Sequence, residues 1–258
     1  MSDAGPADRD PELPLIAHLV ELRSRLLRCL LVLAGIFLAT TPFANDIYAI
    51  VAGPLLAKLP SGSTMIATEV AAPFVVPFKL CLFVALFAAM PFVLYQTWAF
   101  IAPGLYDNER RFAVPLLLSS IALFYAGIAF AFFVVFPLLF GFFTTTVPEG
   151  VAVMTDIGHY LDFVLKLFFS FGLVFEVPVA TVLVIWTGLV PAASLVRARP
   201  YIILGAFALG ALLTPGPDVL SQILLALPLW LLFEVGLFLG RRVHGRGEKA
   251  ATLDRSTP

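Results

Sequence analysis

Three carboxylates stand out against an otherwise apolar sequence: Glu21, Glu109 and Glu176. A carboxylate accepts two parallel hydrogen bonds from a guanidinium, so an accessible one suits the capture of arginine. Glu21 lies in His18-Leu19-Val20-Glu21-Leu22-Arg23-Ser24-Arg25-Leu26. Two accounts fit it. It is an i,i+4 partner of Arg25, worth about 0.3–0.5 kcal/mol on a helix surface, or it receives a cation from another molecule. Glu109 lies in Phe100-Ile101-Ala102-Pro103-Gly104-Leu105-Tyr106-Asp107-Asn108-Glu109-Arg110-Arg111. Pro103-Gly104 is a turn signal. Acids after it gain from the dipole of the next helix, which is the plain account. The functional account joins Glu109 to Glu21 as a pair of carboxylates for a basic peptide.

Glu176 is different. It stands deep in an apolar run, two residues before Pro178. An acid at mid-bilayer costs roughly 2.5–3.5 kcal/mol on insertion scales, so it normally faces a cavity or a partner. Asp162 and Lys166 read as an i,i+4 structural pair nearer the end of that run. A fourth polar stretch is Leu212-Leu213-Thr214-Pro215-Gly216-Pro217-Asp218-Val219-Leu220-Ser221-Gln222. Asp218 there is placed to cap a helix. Cys29, Cys81 and the scattered histidines His18, His159 and His244 lack metal-ligand spacing. No GxSxG, HExxH or glycine-rich phosphate loop occurs. Work done by such a chain must draw on a gradient or on another protein, and no cofactor is implied.

These residues must be positioned by membrane-spanning helices. Of 258 residues 60% are hydrophobic and only 13% charged, against roughly half and a quarter in soluble domains. Mean hydropathy is +0.99. A net charge of −1 gives no argument for nucleic acid. Residues 1–14 are polar and proline-bearing, unlike a cleaved signal. Apolar runs, charge-free except for Asp162, Lys166 and Glu176 in the fourth and Glu234 in the sixth, predict six spans: Cys29–Ala44, Leu80–Tyr106, Phe112–Val147, Tyr160–Val190, Pro200–Leu213 and Val219–Leu239. A span needs about 20 residues for a ~30 Å core, and the fifth is short at about 21 Å. Leu15, Leu19, Leu22 and Leu26 fall at helical spacing, which predicts an amphipathic helix on the membrane surface before the first span. Pro91, Pro115, Pro137, Pro178 and Pro228 predict kinks.

Positive charge sets the orientation. Alternating spans put all twelve arginines and Lys249 on one side, and only Lys58 in the opposite loops. That asymmetry predicts both termini inside. The division is a 1–22 amphipathic N-terminal segment, a 23–240 transmembrane domain and a 241–258 tail.

The ordered set of stretches resembles the TatC subunit of the twin-arginine protein translocase. It includes the His18–Arg23 run, the loop Leu59–Thr68, Tyr95–Gly104, Glu109-Arg110-Arg111, Phe132–Gly141, Phe175-Glu176-Val177-Pro178 and the Thr214–Gln222 turn. One departure is Thr214-Pro215-Gly216-Pro217-Asp218, a glycine longer than the family's Thr-Pro-Pro-Asp. The resemblance implies an all-α membrane protein with six kinked transmembrane helices in a glove-shaped concave arrangement. It implies a receptor in the bacterial inner membrane for twin-arginine signal peptides of folded precursors. Transport would be driven by the proton-motive force, with TatA- and TatB-like single-span partners and self-association in a larger complex. By residue, it implies signal-peptide binding at Glu21 and Glu109 supported by Arg23 and Phe100. It further implies a functional intramembrane Glu176, functional loop residues Pro54 and Asp218, and partner docking at Leu212, Thr214 and Gln222. Read without the resemblance, a proton-coupled secondary transporter using Glu176 remains open, though internal repeats are absent. An intramembrane enzyme lacks a nucleophile–base pair.

Overall fold

The computed structural model describes residues 12–56, 66–101, 113–145, 155–213 and 219–254, and among them the fold is all-helical with no strand. Helix α1 runs from Glu12 to Thr40 without interruption. The segment expected to lie on the surface is therefore the start of a continuous helix, and no break occurs at residues 22–23. A 3-10 turn at Thr41–Phe43, holding Pro42, bends the chain into α2, Ala44–Leu56. The hydroxyls of Thr40 and Thr41 both donate to the Phe37 carbonyl and close that bend.

Helix α3, Ala72–Ile101, carries Pro77 and Pro91 inside it. Helix α4, Ala113–Phe130, passes through a π-helical stretch, Ala131–Val135, into α5, Phe136–Thr145. Pro137 offers no N–H to the carbonyl of Phe133, and the helix widens just before it. Pro115 is in the first turn of α4, where the N–H would be unpaired anyway. It costs no helical bond, so the kink expected there has no physical cause.

The expected fourth span is two helices. Helix α6, Ile157–Val174, stops at a turn of Phe175 and Glu176, and α7, Val177–Trp186, restarts with Pro178 in its first turn. The missing proline donor and the half-buried acid fall at the same break. A short α8, Ala192–Arg197, leads to α9, Arg199–Leu213. Helix α10, Val219–Asp254, carries Pro228 and continues unbroken past residue 240.

Among the described residues five helical segments are long and apolar enough to cross a membrane: Ile16–Val51, Ala72–Ile101, Val114–Leu139, Ile157–Trp186 and Gln222–Arg242. Arg199–Leu212 is apolar but shorter. The core lies where α3, the π-helical stretch and α6 meet, around Leu80, Ala131, Val135, Leu161, Val164 and Phe171. Phe130 packs on Phe171 and Phe175 with ring centroids 5.6 Å apart. Helices α7 and α10 pack closely through Gly236. A Cβ there would stand 2.7 Å from Pro178 Cα and 2.9 Å from Thr181 Cβ. Small residues permit such approach in membranes. Helix α1 touches the rest mainly through α3.

Candidate functional site

Glu21 sits two turns into the described part of α1, and α3 ends beside it. Arg25, one turn further along α1, ties the two helices together. Its Nε and Nη2 donate to Glu21 Oε1 at 2.9 and 2.7 Å. Its Nη1 donates to Gln96 Oε1 at 3.0 Å, and Nη2 also donates to the Ala99 carbonyl at 3.1 Å. Ala99 lies in the last turn of α3, where carbonyls lack helical partners and the dipole favours a cation. The Arg25 side chain is 20% exposed and that of Glu21 36%. Among the described residues Glu21 Oε2 accepts no hydrogen bond; its titratable neighbour there is His18 Nδ1, at 3.9 Å, beyond hydrogen-bond length. The His18 ring stacks on Phe100 with centroids 4.1 Å apart and planes 17° apart. The result is a carboxylate with one oxygen held by Arg25 and the other without a hydrogen bond among the described residues, beside stacked rings.

The i,i+4 pair read from the sequence is thus present, and it is part of a larger network. Sequence reasoning missed Gln96 and the Ala99 carbonyl. A lone glutamine in the apolar run of α3 was the available signal. Arg23 is exposed on α1 and Phe100 half-buried. Glu109, Thr214 and Asp218 lie outside the described residues. Pro54 lies in the backbone of α2.

Glu176 stands apart from this cluster, at the α6–α7 break. The Ser120 hydroxyl of α4 donates to its Oε2. Ser120 is buried, and Glu176 Oε1 is buried with no hydrogen-bond partner among the described residues. Sequence reasoning named the acid but not the serine.

Asp162 pairs with Lys79 of α3, not with Lys166 as the spacing suggested. The cross-helix partner is nearer than the one a turn away. Lys166 is exposed. Arg199 Nη2 pairs with Glu234 Oε2 at 2.6 Å across α9 and α10. At the end of the bundle where α6 begins, Asp156 caps it. It accepts from the Gly158 and His159 N–H groups at 2.8 and 3.0 Å. Thr68 adds its N–H at 2.9 Å and its hydroxyl at 2.7 Å. The His159 N–H first, then the Thr68 hydroxyl, hold the Asp156 carboxyl well below the usual carboxylate range. An Ile66–Asp156 bridge completes this tie between the segments preceding α3 and α6.

Leu212 is 79% exposed near the end of α9. Gln222 is half-buried on α10. Gly210 brings the two helices together there, since a Cβ on it would stand 3.3 Å from Gln222 Cα.

The sequence model of the family described as Sec-independent protein translocase protein (TatC) matches residues 17–228. The Sec-independent protein translocase protein TatC of Azotobacter chroococcum mcd 1 is 62% identical over 251 residues, 97% of this chain and 98% of that one. The protein of the same description from Escherichia coli (strain K12) is 58% identical over 234 residues, 91% and 90% of the two chains. A crystal structure of the twin arginine translocase receptor TatC superposes with a TM-score of 0.79 at 37% identity, over 87% of this chain and 98% of that one. The match runs through both helices of the Glu21 cluster and through the Ser120–Glu176 pair, and the chain belongs to the TatC family of bacterial multi-pass translocase proteins.

Proposed function

We propose that this chain is the receptor and core subunit of a twin-arginine translocase, reading the paired arginines of signal peptides on folded precursor proteins. The observation that carries this reading is the half-exposed Glu21 side chain, whose Oε2 accepts no hydrogen bond among the described residues and lies near His18, the ring stacked on Phe100. Glu109 supplies the second carboxylate, and Arg23 and Phe100 flank the site. The arginine asymmetry of the loops supports placing both termini, the 1–22 segment and the 241–258 tail on the inner side of the bacterial inner membrane. The signal peptide then meets the site from the side on which precursors are made.

Within the complex, Leu212, Thr214 and Gln222 dock a TatB-like single-span helix, a TatA-like one joins for transport, and copies of this chain self-associate. Pro54 and Asp218 act from the outer side. The proton-motive force supplies the energy. The chain carries no catalytic role of its own.

A charge-assisted hydrogen bond contributes about 1.5–3 kcal/mol. Glu21→Ala or Glu109→Ala should therefore weaken binding of an Arg-Arg signal peptide about ten- to a hundredfold. Fluorescence anisotropy on the purified protein, with matched Arg-Arg and Lys-Lys peptides, measures this. Variants that keep the wild-type affinity and the same Arg-Arg preference would remove both acids as readers.

A further inference from the structure

Arg25 is an arginine already bound at the carboxylate proposed to bind arginine. Four of its five N–H groups are used: two on Glu21 Oε1, one on Gln96 and one on the Ala99 carbonyl. Its side chain is four-fifths covered, and its glutamine partner is buried. A guanidinium held at three acceptors on two helices does not leave readily. Glu21 Oε1 is consequently closed to a ligand. Oε2 accepts no hydrogen bond among the described residues.

We propose that Arg25 is a positioning residue of the recognition site: it holds Glu21 by one oxygen and leaves the other to the ligand, so that an incoming cation is read end-on through Oε2. This rests on the reading of Glu21 as a signal-peptide ligand. The sequence alone suggests a two-oxygen fork at Glu21, and the geometry closes it. A fork distinguishes guanidinium from ammonium, because only the planar group spans two oxygens. A single oxygen meets either cation. The signal arginine facing Glu21 is therefore replaceable by lysine at little cost, while the other arginine is not read through this oxygen. Gln96 matters because it takes the Nη1 that would otherwise be free to swing Arg25 out of place.

The test uses the full-length protein in detergent and three peptides that differ only in the pair: Arg-Arg, Lys-Arg and Arg-Lys. In the wild type one single-lysine peptide should bind within about threefold of Arg-Arg. Arg25→Gln removes the occupant and frees both Glu21 oxygens. Affinity for Arg-Arg should fall several-fold, and the penalty on that same single-lysine peptide should rise to about tenfold or more. Gln96→Leu, which removes one anchor and no charge, should shift the ratio the same way by less, and stands in if Arg25→Gln fails to fold. A purely structural role would lower all three affinities together and leave their ratios unchanged, which would overturn the proposal. Tighter binding of Arg-Arg by Arg25→Gln would also overturn it, since Arg25 would then be a competitor. Glu21→Gln separates the two readings. If it changes no peptide affinity, Glu21 is not a reader at all. If it weakens binding while Arg25→Gln leaves the ratios intact, only the positioning role falls.

Discussion

Glu176 is held by one hydroxyl. Ser120 donates to one carboxyl oxygen, and the other is buried without a partner among the described residues. A buried carboxyl oxygen without a donor costs about 1–3 kcal/mol, and that cost persists only where another requirement keeps the acid in place. The acid was legible in the sequence as the charge set deepest in its apolar run. Its partner was not: Ser119-Ser120 stands 56 residues away, and a serine in an apolar run carries no direction. The same holds at Arg25, whose links to α3 span more than 70 residues. Glu176 belongs to no part of the Glu21 cluster, which supports a role after recognition, in assembly or transport through a water-accessible concavity. Glu176→Ala should bind an Arg-Arg signal peptide within about twofold of wild type, yet export a twin-arginine reporter at a tenth of the rate or less. Cysteine placed at 176 should react with a water-soluble thiol reagent. Full protection in the resting protein would count against the concavity, and a peptide-binding defect would merge Glu176 with the first recognition step.

Elements read well from apolar runs where nothing but hydrophobicity was at stake. The sixth span starts where α10 does, at Val219, and the second overlaps most of α3. The misses have local causes. Helical spacing of leucines before residue 28 looks the same whether a helix lies on a membrane or continues into it, so α1 was divided where it is continuous. One apolar run holds α6 and α7, and hydrophobicity does not register the lost Pro178 donor that parts them. Helices α9 and α10 present the element-scale question of partner docking. Between them lies an apolar groove lined by Ile203, Phe207, Ile223, Leu227 and Trp230. Leu212 is exposed near the end of α9, and Gly210 brings Gln222 close. An apolar helix fits this surface, and the Gln222 amide can hydrogen-bond it at ~0.6–2 kcal/mol. Cysteines at 212 and 222 should form disulfides with cysteines in a TatB-like helix. Crosslinks to neighbouring copies of this chain alone would overturn the docking role and leave the fold untouched.

At the scale of the molecule the question is parity. Five segments have the length to cross, and Arg199–Leu212 is the sixth only if the membrane accommodates it. Helix α9 has 15 residues, about 22 Å at 1.5 Å each, against a ~30 Å core. A short span is tolerated by local thinning and by packing on a neighbour. Helix α10 lies against it, joined by the Arg199–Glu234 ion pair. If α9 did not cross, Arg241, Arg242, Arg246 and Arg255 would lie on the side opposite Arg23, Arg25 and Arg28, against the positive-inside bias. The charge pattern therefore supports a spanning α9. That inference was available from the sequence, because it depends on counting arginines and not on contacts. Reporter fusions after Pro60 and Gly150 should read as outside, and fusions after Asn108, Arg199 and Arg255 as inside. Lengthening α9 by one turn of leucines should leave every reading unchanged while removing any thinning. An outside reading at Arg255 with the other four intact would make α9 a re-entrant helix and the chain a five-span protein. An inside reading at Gly150 would break the alternation at the third span.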